Sequence, residues 1–190
     1  MPFVGRAWRV FPWDPQAAPG QQLSPSYVAP HQGSGRFDLA DTGVIYLAET
    51  PEHAVAEKIQ RFRGQMLEAY DLTESGRPLA LVECQVEAHV LPHIADLCDW
   101  NILAKHALGP DIIASRQLAK TQAVSRMLSD AGYVGLRWWS ALSGDWHSVV
   151  LFLGKLAPNS LRYAEPEELT LDHRAVLEAA VSIGVRVETR

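Results

Sequence analysis

The stretch GSGRFDLADTGVIYLAETPEHAVAE, residues 33–57, sets an arginine, a tyrosine and a glutamate around one expected strand-to-helix junction. Arg36 follows Gly33-Ser34-Gly35. Glycine lets backbone N–H groups come close to a ligand, and a guanidinium fork matches phosphate or carboxylate oxygens. The competing reading is a surface arginine after a flexible turn. Tyr46 alternates with Ile45 and Leu47, so its side chain faces the other way, to line a cleft or to cover a sheet face. Glu57 falls just off the helical stripe Val55, Ile59, Phe62, at the border of the core face. Its structural alternative is a boundary glutamate paired with Arg61 four residues on.

Further along, Trp138, Trp139 and Ser140 close an expected strand. Neighbouring strand residues face opposite ways, so one tryptophan packs inward and the other is placed to stack on a planar ring. Ser140 is either a binding group at the strand end or a turn residue. Ser140, Asp145 and His147 do not read as a hydrolase triad, because there is no GxSxG elbow and the three crowd into one short loop. His89 and His93 have helical spacing, but Pro92 argues against a helix there, so no metal site is expected. Neither GxGxxG after a strand nor GxxxxGK[ST] is present.

Positioning these groups requires a set of elements. WRVF (8–11) and VIYLA (44–48) read as strands. The intervening segment 12–35 is rich in Pro, Gly, Ser and Gln, longer than an ordinary connection, and is a candidate lid. Thr50-Pro51-Glu52 is a helix start, and the apolar spacing extends the helix to about residue 67. LALVECQVEAHV (79–90) reads as a strand, 97–108 as helical and 113–131 as one helix ending at Gly132. Residues 133–139 and 148–153 read as two strands joined by a turn-rich loop, and 172–182 as the last helix. This order predicts an α+β single domain over 1–190, with a core at about 8–153 and a helical extension at 154–190.

With 190 residues, 47% of them hydrophobic, the chain is long enough for a real core. A net charge of −5 argues against nucleic acid as the main ligand, though a local positive cluster can still hold a diphosphate. Cys84 and Cys98 form no CxxC pair and are expected as ordinary thiols of a cytoplasmic protein. No membrane span and no secretion signal are expected.

WRVF, GRF (35–37), GVIYLAETPEHAVAE (43–57) and GLRWWSALSGDWHSVVLF (135–152) together resemble the RES domain family, over about residues 8–153. The resemblance implies an ADP-ribosyltransferase-like mixed sheet with flanking helices and a toxin of a bacterial toxin–antitoxin pair. It implies consumption of NAD+ as substrate by release of nicotinamide, with phosphate or water as acceptor and no separate cofactor. It further implies a small Xre-type helix-turn-helix antitoxin as partner. By position, the family's arginine falls on Arg36, its tyrosine on Tyr46, its glutamate on Glu57 and its serine on Ser140, with Ser115 and Ser143 as fallback serines. Arg9 matches a second family arginine.

On that reading Arg36, aided by Arg9, anchors the diphosphate, and Tyr46 or Trp139 stacks on nicotinamide. Glu57 opposes the charge that develops on ribose, and Ser140 orients. Two alternatives stand beside it: transfer of ADP-ribose to a protein, and a non-catalytic NAD-binding module. A homodimer is also compatible with the exposed aromatics expected near Trp13.

Overall fold

A computed structural model describes residues 2–29 and 33–188 of the chain. Part of the long segment 12–35, residues 30–32, therefore lies outside the described residues. In chain order the strands are β1 (Arg6–Pro12), β2 (Val44–Ala48), β3 (Met66–Leu67), β4 (Thr73–Glu74), β5 (Arg77–Val86), β6 (Ile94–Asp96), β7 (Gly135–Trp139), β8 (His147–Phe152), β9 (Leu161–Tyr163), β10 (Glu167–Glu168) and β11 (Arg186–Val187). The α-helices are α1 (Pro51–Ile59), α2 (Trp100–Lys105), α3 (Pro110–Ile113), α4 (Leu118–Asp130) and α5 (Arg174–Ile183). The class is α+β, with mixed strand pairing and flanking helices. The chain divides into two compact units: one of Met1–Gly5, Val28–Leu47 and Val86–Arg162, the other of Arg6–Tyr27, Ala48–Gln85 and Tyr163–Arg190.

In the first unit the strand order is β2-β8-β7-β6. β7 and β8 run antiparallel, from Gly135↔Leu151 to Trp139↔His147, while β6 and β7 run parallel. Gly135 permits the tight β7–β8 approach, since a Cβ there would lie 2.2 Å from the Val150 carbonyl oxygen. One face is covered by α3 and α4. Phe37, Leu97, Ile113, Leu128, Leu136 and Phe152 are fully buried in this core. Burying side chains of this size contributes about 1.5–3 kcal/mol each.

The second unit is built on β10-β5-β1, all antiparallel. β1 and β5 pair along their length, from Arg6↔Gln85 to Pro12↔Leu79. Helix α1 packs on α5 and β1. It begins as its sequence suggests: Thr50 is the N-cap, its hydroxyl accepting from His53 N–H, and Pro51 follows. It ends earlier than expected, at Ile59, and Gln60–Phe62 continues as a 3₁₀ turn. Gly64 at φ 75° then reverses the chain into β3, which pairs with β11.

Two other helices differ from their expected spans. The expected helix 113–131 is divided, with α3 ending at Ile113 and α4 starting at Leu118. Between them the Ser115 hydroxyl accepts from Gln117 N–H, a local turn that competes with helix continuation. The expected helical segment 97–108 shortens to Trp100–Lys105: Asp99 sets its start by accepting from Asn101 N–H, and Ala107 at φ 52° takes the backbone out of the helical region beyond its end. Cys84 and Cys98 are not joined by a disulfide. Among the described residues no helix is long and apolar enough to cross a membrane.

Candidate functional site

The loop that carries Arg36 is held from several sides. Asp38, almost fully buried, accepts from Gly35 N–H at 2.7 Å through one carboxylate oxygen and from the Tyr46 hydroxyl at 2.7 Å through the other. The Tyr46 oxygen in turn accepts from Phe37 N–H at 2.9 Å. From α4, Gln122 Nε2 donates to the carbonyls of Gly33 at 3.1 Å and Gly35 at 3.0 Å. The Phe37 ring lies 4.6 Å from that of Trp138, and Tyr46 meets Trp138 edge-on at 6.5 Å. Burial, reinforced by the Asp38 carboxylate, pushes the Tyr46 phenol well above the usual tyrosine range, so it stays a hydroxyl.

Half-buried Arg36 emerges from this clamp. Its guanidinium lies 5.4 Å from the Phe37 ring centroid, and its Nη2 donates to the Ile113 carbonyl at the end of α3. Glycine is required at position 35 for a reason different from the expected one. Its N–H is directed to Asp38 rather than to a ligand, and a Cβ there would lie 2.3 Å from Asp38 Oδ1 and 2.4 Å from the Tyr46 hydroxyl. Tyr46 is thus a structural support of the arginine loop as well as a ring surface.

At the end of β7, Trp138 is buried, while half-buried Trp139 packs against the same core. Ser140 is buried; its N–H donates to the Trp146 carbonyl at 2.7 Å and its hydroxyl accepts from Leu142 N–H at 3.1 Å. That geometry matches the turn reading of this serine. Ser115 is likewise engaged in its turn, and the Ser143 carbonyl accepts from Trp146 N–H at 3.2 Å.

In the second unit, Glu57 is not paired with Arg61, which instead lies over the Phe62 ring at 4.8 Å. The Glu57 carboxylate is gripped on both oxygens: Oε1 by His53 Nε2 at 3.2 Å and Oε2 by Gln60 Nε2 at 2.9 Å. Its side chain remains 45% exposed, while that of His53 is fully buried. A carboxylate arranged this way is oriented by the protein yet open to solvent.

Arg9 is committed differently from the expected diphosphate contact. Its Nη1 donates to the carbonyls of Pro25 and Tyr27, both at 3.0 Å, so it ties the end of the loop after β1. Desolvation lowers its pKa, opposed by nearby Tyr163 and Cys84, but it remains a cation. The same burial pushes the Cys84 thiol up to about 12. A cavity of about 630 Å³ in this unit is lined mainly by Leu72, Leu169, Leu171, Leu177 and Val187. None of the residues nominated from the sequence lines it.

The structure therefore brings Arg36, Tyr46 and Trp138 into one cluster of the first unit, and places Arg9 and Glu57 in the second. Sequence reasoning missed Asp38, Gln122, His53 and Gln60. For His53 a signal existed, the i,i+4 spacing of HAVAE with Glu57. For Gln122, far from Arg36 in the chain, there was none.

Comparisons with known proteins agree with this architecture. No curated protein matches the chain. Among solved structures it is similar to the M. tuberculosis MbcT–MbcA toxin–antitoxin complex, with 16% identity, a TM-score of 0.57, and coverage of 90% of this chain and 86% of that one. At that identity the similarity speaks for the fold. The model of the RES domain matches residues 6–172, most of the chain, a span that includes Arg9, Arg36, Tyr46, Glu57, Trp139 and Ser140. The chain belongs to the RES domain family.

Proposed function

We propose that this protein is the toxin of a toxin–antitoxin pair and consumes NAD+ by breaking the nicotinamide–ribose bond. The bond breaks with both electrons going to nicotinamide, which leaves neutral; positive charge spreads over the ribose ring, and water or phosphate adds at the vacated carbon. The reaction needs an anchor for the diphosphate, a surface for the nicotinamide ring and negative charge toward ribose. Arg36 on its clamped loop suits the first task, Trp139 the second and Glu57 the third. Ser140 is assigned to orienting, since one hydroxyl hydrogen bond contributes only about 0.5–1.5 kcal/mol.

The observation that carries the reading is the Glu57 carboxylate, held on both oxygens and still half exposed, at the family's glutamate position. Opposite charges about 4 Å apart at an effective dielectric near 20 attract by roughly 4 kcal/mol. Realised only in the transition state, that corresponds to about a thousandfold in rate. The partner assignment draws support from the similar fold of MbcT, seen with its antitoxin. On this reading an Xre-type helix-turn-helix protein neutralises the chain in the cytoplasm.

Purified protein incubated with NAD+ and analysed by HPLC tests the activity. Nicotinamide release is expected, with ADP-ribose as co-product in plain buffer or its 1-phosphate when phosphate is added. Glu57→Gln should keep its melting temperature and lose about a thousandfold in turnover. Turnover of Glu57→Gln near that of wild type would rule out the assigned role. Radiolabel appearing on lysate proteins instead of in ADP-ribose would point to protein modification.

A further inference from the structure

We propose that His53 is a positioning residue for the Glu57 carboxylate, with Gln60 completing the hold; the inference rests on the reading of Glu57 as the charged group that acts on ribose. His53 occupies the third position of α1, where its N–H is engaged by the Thr50 cap. Its imidazole is fully buried, on a helix whose other buried residues, Ala54, Val55, Ala56 and Ile59, are all small or aliphatic. Packing alone at such a position is served by leucine or isoleucine, and a buried imidazole is costly unless hydrogen-bonded. Its Nε2 lies 3.2 Å from Glu57 Oε1, one helical turn further along. An ionised carboxylate only accepts, so Nε2 carries the proton in this contact.

Gln60 supplies the other half. Its amide donates to Glu57 Oε2 at 2.9 Å and to the Glu57 backbone carbonyl at 3.1 Å. One donor from four residues before and one from three residues after thus hold the two carboxylate oxygens separately. A glutamate with this exposure otherwise samples several rotamers. Fixing one orientation before substrate arrives removes that ordering from the reaction step.

The test compares wild type, Glu57→Gln, His53→Leu and His53→Gln in initial-rate assays of nicotinamide release from NAD+. His53→Leu should lower kcat by about 10- to 100-fold, the loss of one hydrogen bond to a charged group, while KM for NAD+ moves by less than about threefold. His53→Gln retains an amide donor and should recover most of kcat. Equal rates in the two His53 variants, or a loss that merely follows the folded fraction, would overturn the proposal. A second readout does not depend on NAD+ chemistry. In ¹⁵N NMR the His53 imidazole should carry its proton on Nε2, and that resonance should move in Glu57→Ala. A resonance unmoved by Glu57→Ala defeats the hold whatever the substrate. A moved resonance in a wild-type protein that releases no nicotinamide supports the hold and rejects the function proposed above.

Discussion

Tyr46→Phe removes one oxygen atom and is expected to loosen the arginine loop more than its size suggests. The ring stays, so the edge-on contact with Trp138 is retained. Two hydrogen bonds are lost: the hydroxyl to Asp38 at 2.7 Å, and Phe37 N–H to the phenol oxygen at 2.9 Å. A bond to a charged group is worth about 1.5–3 kcal/mol, and an orphaned N–H costs about 1–3 kcal/mol. Tyr46 is half-buried, and water reaching the vacated space recovers part of this. The expected loss is therefore about 2–4 kcal/mol, read as ΔΔG from urea unfolding. Because the same two bonds fix the loop that carries Arg36, KM for NAD+ should rise while kcat falls less. Asp38→Asn should show non-additive coupling with Tyr46→Phe in a double-mutant cycle. A Tyr46→Phe variant within about 0.5 kcal/mol of wild type and with unchanged KM would refute the clamp.

Gly35→Ala should be more severe than an ordinary loop substitution. The new methyl group meets Asp38 and the Tyr46 hydroxyl inside 2.5 Å, so the loop must open; a fall in melting temperature and loss of NAD+ turnover together are the expected result. Arg9→Ala removes the tie to Pro25 and Tyr27, so limited proteolysis should cut between residues 13 and 29 sooner than in wild type, and an unchanged cleavage pattern would contradict the tie. Alkaline titration followed at 295 nm should show Tyr46 and Tyr163 silent through the ordinary tyrosine range, because burial raises both. Since their folded-state pKa values lie above the unfolded one, the stability they contribute is complete below about pH 10 and is lost as pH rises beyond it, so their ionisation should ease unfolding on the alkaline side.

Much of this architecture is written in short-range patterns. The Thr50-Pro51 helix start and the strand VIYLA are both present as read, because capping and alternation are local physical requirements. The GRF, YLAE and AVAE segments were enough to identify the family. Helix ends were less legible: α1 stops at Ile59 although apolar spacing continues to Met66, since Gly64 and the pairing of β3 with the distant β11 outweigh periodicity.

Family and fold class were thus legible along the chain, as were the arginine, tyrosine and glutamate offered as candidate site residues. How those residues are committed emerged from the packed fold. It turned the Tyr46 hydroxyl and the Gly35 N–H inward to Asp38, gave Arg9 to two loop carbonyls, and set His53 rather than Arg61 against Glu57. The reason is that hydrogen-bond partners are chosen by proximity in space under burial. A donor withdrawn from water must find whatever acceptor the packed chain brings to it, and no spacing rule along the chain specifies which acceptor that will be.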